Sequence, residues 1–174
     1  MQNKCFSFDA ECKREQGVFS GYASVFDVID CQGDVIKFGA FSSAKANAII
    51  LWQHKQDQPI GKITKLVQNA DGLYIHGKLI TEVKKGYEAY KLLQSGIIDG
   101  LSIGYIPKSY NIDRKSGARI IKKLDLIEVS LVTFPANKDA KVGSVKSSSD
   151  AYDLNDLKKH KMKNAVRKLI QVLR

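Results

Sequence analysis

One histidine, one serine and one glutamate stand in local sequences that suit hydrolytic chemistry. His54 follows the chain's single tryptophan in L-W-Q-H, Ser102 is the centre of G-L-S-I-G, and Glu128 interrupts an apolar run. A histidine can act as general base, a serine hydroxyl as nucleophile, and a carboxylate as the group that orients the histidine. The chain therefore carries, in the order His, Ser, Glu, the three roles of a serine hydrolase.

The serine and the histidine also have simpler structural interpretations. His54 would be a half-exposed residue at a strand end, and Ser102 a small residue between two glycines at a bulge. The pattern G-x-S-x-G marks the nucleophile elbow of α/β-hydrolases only between a strand and a helix, whereas here a helix is predicted before it and a strand after it. We therefore reject the interpretation as a nucleophile elbow. The two glycines would still let a substrate backbone approach Ser102 closely and leave backbone N–H groups free to bind an oxyanion.

The carboxylate of Glu128 is the most informative of the three groups. On a regular strand the even-numbered residues from 124 to 132 share one face with it, and both faces of this segment are mostly apolar, which predicts a central strand. A charged side chain there is costly unless a partner pairs with it. A histidine N–H is a suitable partner, but a buried Arg or Lys, or a strand edge that faces water, would also satisfy it.

Two further side chains could take part in the chemistry. His76 alternates with apolar neighbours and is interpreted as the solvent face of a hairpin strand, with the alternative that it orients His54 as a third member. Cys31 lies in a polar, turn-like stretch without a base nearby in sequence, which argues against a thiol nucleophile. The three cysteines have no metal-like spacing and indicate free thiols in a reducing compartment. No metal or nucleotide pattern of the H-E-x-x-H or P-loop kind occurs, so no cofactor is expected.

The elements that must position these residues are mostly strands. Strands are predicted over 17–26, 49–53, 60–67, 73–80, 101–111 and 119–134. A helix is predicted over 82–95, with Gly96 as its C-terminal cap, and Asp71-Gly72 predicts a tight hairpin turn. Strands and helices do not alternate as in a doubly wound sheet, so the expected fold is mainly β (α+β).

Length and composition indicate one globular domain with a basic tail. Of the 174 residues 44% are hydrophobic, yet no apolar run approaches the roughly 20 residues of a membrane helix. The N-terminus lacks the apolar stretch of a secretory signal, so an intracellular protein is expected. We divide the chain into a domain over 1–143, a Ser-rich linker over 144–150 and a basic amphipathic helical tail over 151–174.

The basic tail does not by itself indicate nucleic-acid binding. It carries seven Lys and Arg residues against two Asp, half of the chain's net charge of +10. Lysines on a solvated helix face explain this excess as well as a nucleic-acid partner would, so such a partner is not expected.

The segments around these residues resemble the prohead (capsid maturation) serine proteases of tailed bacteriophages, whose fold is similar to that of the herpesvirus assemblins. The resemblance runs from about Phe8 to Ala140. Its motifs, in the family's order, are G-Y-A-S-V-F at 21–26, G-D with G-A-F at 33–41, L-W-Q-H with P-I-G at 51–61, G-L-S-I-G-Y at 100–105, and E-V-S-L-V through P-A-N at 128–137.

The resemblance implies a small closed β-barrel with surrounding helices, His54 as general base and Ser102 as nucleophile. Glu128 matches the acidic position, whereas the assemblins use a second histidine there. The implied activity is a serine endopeptidase that cleaves phage scaffold or capsid precursor, and itself, during procapsid maturation. The resemblance implies the major capsid or scaffold protein as partner. It is compatible with a homo-oligomer and implies no association with a membrane. The implied place of action is the assembling procapsid in the host cytoplasm.

Two other functions remain open on the sequence. The first is a non-catalytic, protease-like assembly module that binds coat or scaffold protein, and the retention of His54, Ser102 and Glu128 together argues against it. The second is an unrelated esterase. A serine-directed fluorophosphonate would separate the hydrolases from the inert module, and turnover of peptides against esters would separate the hydrolases from each other.

Overall fold

The structure is a computed structural model that describes residues 17–44 and 48–146. Within these residues it has eight strands and one helix. The strands are β1 (Val18–Val25), β2 (Asp34–Ile36), β3 (Ile49–Trp52), β4 (Lys55–Gln68), β5 (Gly72–Leu79), β6 (Gly100–Ile112), β7 (Arg119–Val132) and β8 (Val142–Lys146), and the helix is α1 (Lys84–Gln94). The mainly β fold predicted from the sequence is confirmed, and β2 and β8 add to the predicted strands.

All eight strands belong to one sheet. Its path runs β2-β7-β3-β4-β5-β1-β8, and β6 pairs with β7. The long strand β7 is central to the arrangement, since β6 pairs with it along its whole length while β2 and β3 pair in parallel with its first and last thirds. Residues carried by β3, β7 and β6 are therefore side by side.

The closed barrel expected from the resemblance is wrong. The edges formed by β6 and β8 meet only around an isolated bridge between Gly100 and Lys141. A closed barrel needs a continuous ladder between its outermost strands, and in the described residues the edge of β6 beyond Gly100 pairs with no further strand. The gap between this edge of β6 and the C-terminal end of β1 is called the seam below.

One face of the sheet packs against α1 and forms the main apolar core. The helix is amphipathic, and it buries Gly86, Ala89, Tyr90 and Leu93, which recur every three or four residues. Gly96, with a φ of 69°, follows its end and donates its N–H to Leu93 O, as the predicted cap requires. No helix among the described residues has the length and apolarity needed to cross a membrane.

The predicted linker starts too early in the chain. Strand β8 pairs antiparallel with β1, and Ser144 Oγ lies 2.9 Å from Ser20 Oγ. Val145 also packs against the core. Residues 144–146 therefore belong to the sheet, because their backbone groups and side chains find partners on β1. The rest of the linker and the predicted tail helix, residues 147–174, lie outside the described residues.

Two truncations should separate β8 from the tail. We expect a chain ending at Lys146 to keep the melting temperature of the full chain, and a chain ending at Gly143 to lose about 2 kcal/mol of unfolding free energy, because it gives up ladder hydrogen bonds to β1 and the burial of Val145. Thermal melting of the two chains measures the difference. Equal melting temperatures would contradict a structural role for β8.

Candidate active site

His54 lies at the tip of the two-residue hairpin that joins β3 to β4. Trp52 pairs with Lys55, and between them Gln53 and His54 have positive φ angles of 53° and 59°. Positive φ at both central residues is the geometry of a tight two-residue hairpin, which Gly or Asn usually provides. A non-glycine residue there costs on the order of 1–2 kcal/mol, so the surroundings must hold the turn. His54 is thus a turn residue rather than the strand end predicted from the sequence.

Hydrogen bonds to β7 and the residues after it hold this turn. The N–H of Gln53 donates to Leu131 O at 3.0 Å, and its side-chain amide donates to Thr133 Oγ1 at 2.8 Å. The N–H of His54 donates to Ser130 Oγ at 3.1 Å. These contacts fix the left-handed backbone beside β7, so that the imidazole is presented to the side chains of that strand.

The imidazole of His54 contacts the buried carboxylate of Glu128. The distance from Nδ1 to Oε1 is 2.7 Å. The side chain of Glu128 is 10% exposed, and that of His54 is 44% exposed. Of the partners considered from the sequence, the structure therefore supplies histidine. Because Nδ1 is engaged, Nε2, which has no hydrogen-bond partner in the described residues, is the nitrogen available to exchange a proton.

Ser130 closes a set of hydrogen bonds around this pair. Its Oγ donates to Glu128 Oε2 at 2.7 Å and accepts from the N–H of His54 at 3.1 Å. The residue is completely buried. One hydroxyl thus ties the second oxygen of the acid to the backbone of the histidine turn. The spacing of two residues between Glu128 and Ser130 already indicates from the sequence that both side chains share one face of the strand.

A β-bulge in β7 directs Glu128 and Ser130 away from the core. Gly104 pairs with Glu128 and the next residue of β6 pairs with Leu126, so Ile127 is left without a partner. The extra residue reverses the alternation of side chains. The prediction that the even-numbered residues from 124 to 132 share one face is therefore wrong. The core instead receives Leu124, Leu126, Val129 and Leu131.

Ser102 lies on β6 directly opposite Ser130 of β7 and is buried. Directly opposed residues of antiparallel strands point to the same face of the sheet, so Ser102 shares the face that carries Glu128. His54 reaches this face from the β3 side of β7. Within the described residues the Ser102 hydroxyl makes no hydrogen bond to His54, and contacts of this kind often tighten only when substrate is bound.

The two glycines that flank Ser102 are required by packing. A Cβ on Gly104 would lie 2.4 Å from Glu128 Oε1, and a Cβ on Gly100 would lie 2.5 Å from Val132 O. Gly104 therefore leaves the space that the carboxylate occupies. Both glycines are thus required by packing, and their expected role in letting a substrate backbone approach Ser102 stays a prediction.

The two other candidate side chains have different surroundings. His76 lies on β5, which β3 and β4 separate from β7, and its ring meets Tyr74 edge-on with centroids 5.4 Å apart. Cys31 is exposed before β2, and its N–H donates to Ala136 O. Neither side chain forms a hydrogen bond with His54 in the part of the chain that the structure describes.

An ion pair between a buried carboxylate and a partly exposed guanidinium joins β2 to β7, and Tyr105 on β6, the strand of Ser102, also bonds this carboxylate. The carboxylate of Asp34, 1% exposed, accepts hydrogen bonds from Arg119 Nε at 2.7 Å and Nη2 at 2.6 Å, and from the Tyr105 hydroxyl. Burial acts to raise the pKa of Asp34, but the hydrogen bonds from Arg119 and Tyr105 outweigh it and lower the pKa. Burial and the neighbouring carboxylate raise the pKa of Tyr105.

Breaking this pair should destabilise the fold in a pH-dependent way. We expect Arg119→Met to lower the unfolding free energy at pH 7 by about 2–4 kcal/mol, because it leaves the charge of Asp34 buried without a cation. Since the pKa of Asp34 is lower in the folded state, the stabilisation is present above its ordinary value of 3.8 and is lost as the pH falls through the folded value. The deficit should therefore shrink in acid.

Denaturant titrations of the variant at several pH values measure this deficit. Lys37→Met, which removes an exposed pair with Asp27, is the matched control and should cost less than about 1 kcal/mol. A deficit for Arg119→Met that stays the same below pH 3 would show that the lost stability does not come from the charge of Asp34.

Known proteins share the sequence and the fold of this chain. The family model of the caudovirus prohead serine proteases matches residues 6–155. The prohead protease of Enterobacteria phage HK97 is 33% identical over 149 residues, which are 82% of this chain and 66% of that protein. The prohead protease of Escherichia phage T5 is 32% identical over 149 residues, 81% of this chain and 69% of that protein. The chain thus spans about two thirds of the length of these relatives.

Solved structures support the fold. The bacteriophage T4 capsid assembly protease matches with a TM-score of 0.51 at 13% identity, over 66% of this chain and 81% of that one. The KSHV protease, solved with a hexapeptide phosphonate inhibitor, matches with a TM-score of 0.51 at 14% identity, over 73% of this chain and 64% of that one. The predicted likeness to phage and herpesvirus proteases is thus confirmed at the level of the fold. With a family model matched over most of its length, this chain belongs to the caudovirus prohead serine protease family.

Proposed function

We propose that this chain is a serine endopeptidase of procapsid maturation, with Ser102 as nucleophile, His54 as general base and Glu128 as the acid that orients the histidine. The observation that carries the proposal is the 2.7 Å contact between His54 Nδ1 and the buried Glu128, on the face of the sheet that also holds Ser102. Membership of a serine protease family supports the same assignment.

In the proposed mechanism, His54 Nε2 accepts the proton of Ser102 as Oγ forms a bond to the peptide carbonyl carbon. The imidazolium then gives this proton to the leaving amine as the C–N bond breaks, and a water molecule hydrolyses the ester in the same two steps. Glu128 keeps the proton of the neutral ring on Nδ1 and stabilises the imidazolium. Ser130 is a positioning residue, because it holds both Glu128 and the His54 turn.

The proposed substrates are the phage major capsid precursor or scaffold protein, and the chain itself. The names of the matched relatives, two prohead proteases, support this choice. The proposed place of action is inside the assembling procapsid in the host cytoplasm. The division into a protease domain and a basic helical tail over 151–174, which would dock on scaffold or on another copy of the chain, also stays a proposal.

Co-expression with the neighbouring capsid gene product tests the function. We expect mass measurement to find capsid or scaffold fragments when the wild-type chain is present. We also expect a fluorophosphonate to label Ser102. Turnover of esters alone, without cleavage of any capsid protein, would favour an unrelated esterase. A chain that is neither labelled nor active, but still binds coat or scaffold protein, would be a non-catalytic assembly module.

Removing the Ser130 hydroxyl should slow cleavage without abolishing it. We expect Ser130→Ala to lower kcat roughly 10–100-fold with little change in KM, because the histidine turn and the carboxylate lose their common partner while the nucleophile remains. Ser130→Thr retains the hydroxyl and should recover most of the rate. Steady-state peptide cleavage measures both variants, and a Thr variant as slow as the Ala variant would show that packing, not the hydroxyl, matters there.

A further inference from the structure

Two uncovered apolar side chains lie at the same end of the β6–β7 ladder. Among residues 17–44 and 48–146, Phe134 and Ile97 are the most exposed large apolar residues, at 90% and 70%. The last pair of the ladder joins Gly100 to Val132, so Phe134 follows this pair by two residues and Ile97 precedes it by three. Single apolar side chains are common on protein surfaces, but uncovered ones that gather at one place mark a contact site.

The loop that carries Phe134 is held on both sides of this residue. Before it, Thr133 donates its N–H to Gln53 Oε1 at 3.3 Å, and Thr133 Oγ1 accepts from Gln53 Nε2 at 2.8 Å. After it, the ring of Pro135 packs close to Gly100, where an added Cβ would lie 2.9 Å from Pro135 Cδ. A residue before a proline is also disfavoured from helical backbone conformations. The exposed ring of Phe134 is therefore presented by a fixed backbone.

The next two residues of this loop are anchored as well. Ala136 O accepts the N–H of Cys31 at 3.1 Å, and the side chain of Asn137 donates to Val25 O at 2.9 Å. A loop that is already ordered loses little conformational freedom on binding, so the burial of a side chain on it contributes almost fully to affinity. These anchors make Phe134 suitable for recognising a ligand.

Phe134 lies within reach of a peptide bound at Ser102. Ser130, which is directly opposite Ser102, precedes Phe134 by four residues, so the Cα atoms of Ser130 and Phe134 are at most about 14 Å apart. An extended peptide covers such a distance in about four residues. A substrate side chain two to four positions from the cleaved bond can therefore contact the ring of Phe134.

The proposed role of His54 indicates which half of the substrate makes this contact. The histidine protonates the leaving amine, so the leaving half must pass beside its turn. Gln53, the other central residue of that turn, is the residue that bonds Thr133 next to Phe134. Ser102 lies on the other side of β7 from the turn. The leaving half thus runs past the turn toward Phe134, and the acyl half lies on the far side of Ser102.

We infer that Phe134 is a specificity-determining residue that packs against an apolar side chain in the leaving half of the substrate, at one of the positions P2′ to P4′. The inference rests on the proposed endopeptidase function. A phenyl ring carries no hydrogen-bonding group, so it gains most by covering another apolar side chain. Leucine, valine or phenylalanine at this position should therefore be preferred over serine, aspartate or lysine.

Two kinds of substrate with the same acyl half test this contact on the full chain. The first are peptides that span the mapped capsid cleavage site and carry leucine or serine at P2′, P3′ or P4′. The second is a nitrophenyl ester of the acyl half, which has no leaving peptide. We expect Phe134→Ser to lower kcat/KM about tenfold or more for the peptide with leucine at the contacted position, and to abolish its advantage over serine. Hydrolysis of the ester should stay within about twofold of the wild-type rate, because the ester makes no contact with Phe134.

Two further variants complete the test. Phe134→Leu keeps an apolar side chain and should retain most of the preference for leucine. Ile112→Ser changes an exposed apolar residue at the other end of β6 and is the matched control, which should act on both substrates like the wild-type chain. An equal loss on peptide and ester in Phe134→Ser, or no loss on either, would overturn the inference while fluorophosphonate labelling and capsid cleavage persist. A wild-type chain that is neither labelled nor able to cleave capsid protein would overturn the proposed function as well.

Discussion

Replacing Ser102 by alanine is expected to lower kcat/KM for peptide cleavage by on the order of 10⁴-fold or more, because it removes the oxygen that we propose attacks the peptide carbonyl. The fold should survive. The hydroxyl of Ser102 makes no hydrogen bond in the described residues, so its loss leaves no buried group without a partner. Peptide turnover and fluorophosphonate labelling measure the effect on chemistry, and thermal melting measures the effect on stability.

The directly opposed serine is the natural control for this result. Ser130 faces Ser102 across β6 and β7, and its hydroxyl accepts the N–H of His54 at 3.1 Å. If Ser102→Ala retained near-normal cleavage and labelling while Ser130→Ala lost both, the nucleophile would be Ser130. We expect instead that Ser102→Ala loses both cleavage and labelling, whereas Ser130→Ala is slowed but still labelled, since the hydroxyl of Ser130 is already bonded to Glu128.

Replacing His54 by alanine is expected to be as damaging as replacing Ser102, and combining the two changes should add little. Groups that act as one unit are not additive, because the loss of either removes the same step. Glu128→Gln should reduce kcat roughly 10²–10⁴-fold, since the amide can no longer stabilise the imidazolium. Gly104→Ala should approach the effect of Glu128→Gln, because its methyl group would lie 2.4 Å from the carboxylate oxygen.

A double-mutant cycle on peptide kcat/KM checks this coupling, with His76→Ala as the control that should keep full activity. His76 lies on β5, where its ring packs edge-on against Tyr74, and β3 and β4 separate this strand from β7. Full activity of Glu128→Gln together with an inactive His76→Ala would instead make His76 the third member. Independent losses that multiply in the double variant would show that His54 and Ser102 do not act in one step.

Local features of the fold could be predicted from the sequence because each depends on a few neighbouring residues. Asn69 Oδ1 accepts the N–H groups of Asp71 and Gly72, which makes the predicted hairpin turn. The amphipathic spacing of α1 and the glycine after it are equally local. The sequence also indicated that Glu128 is paired, because a charged side chain within an apolar strand is costly to bury without a partner, whichever residue that partner is.

Features that require distant strands to meet were decided only by the tertiary structure. The bulge at Ile127 depends on how β7 pairs with β6, and it reverses which side chains face the core. The left-handed turn at His54 is tolerated because the hydroxyl of Ser130, 76 residues further along the chain, accepts its N–H. The hydrophobic periodicity of one strand indicates neither the register in which it pairs nor the residues that it contacts on other strands.

The sequence by itself determined the types of the reactive groups, their order and the mainly β class, because residue chemistry and hydrophobic periodicity are properties of single segments. The tertiary structure decided that Glu128 is the group against His54, that Gly104 is needed to make room for it, and that the sheet stays open at the seam. Each of these depends on the register between strands far apart in the chain, where a shift of one residue turns every side chain to the opposite face.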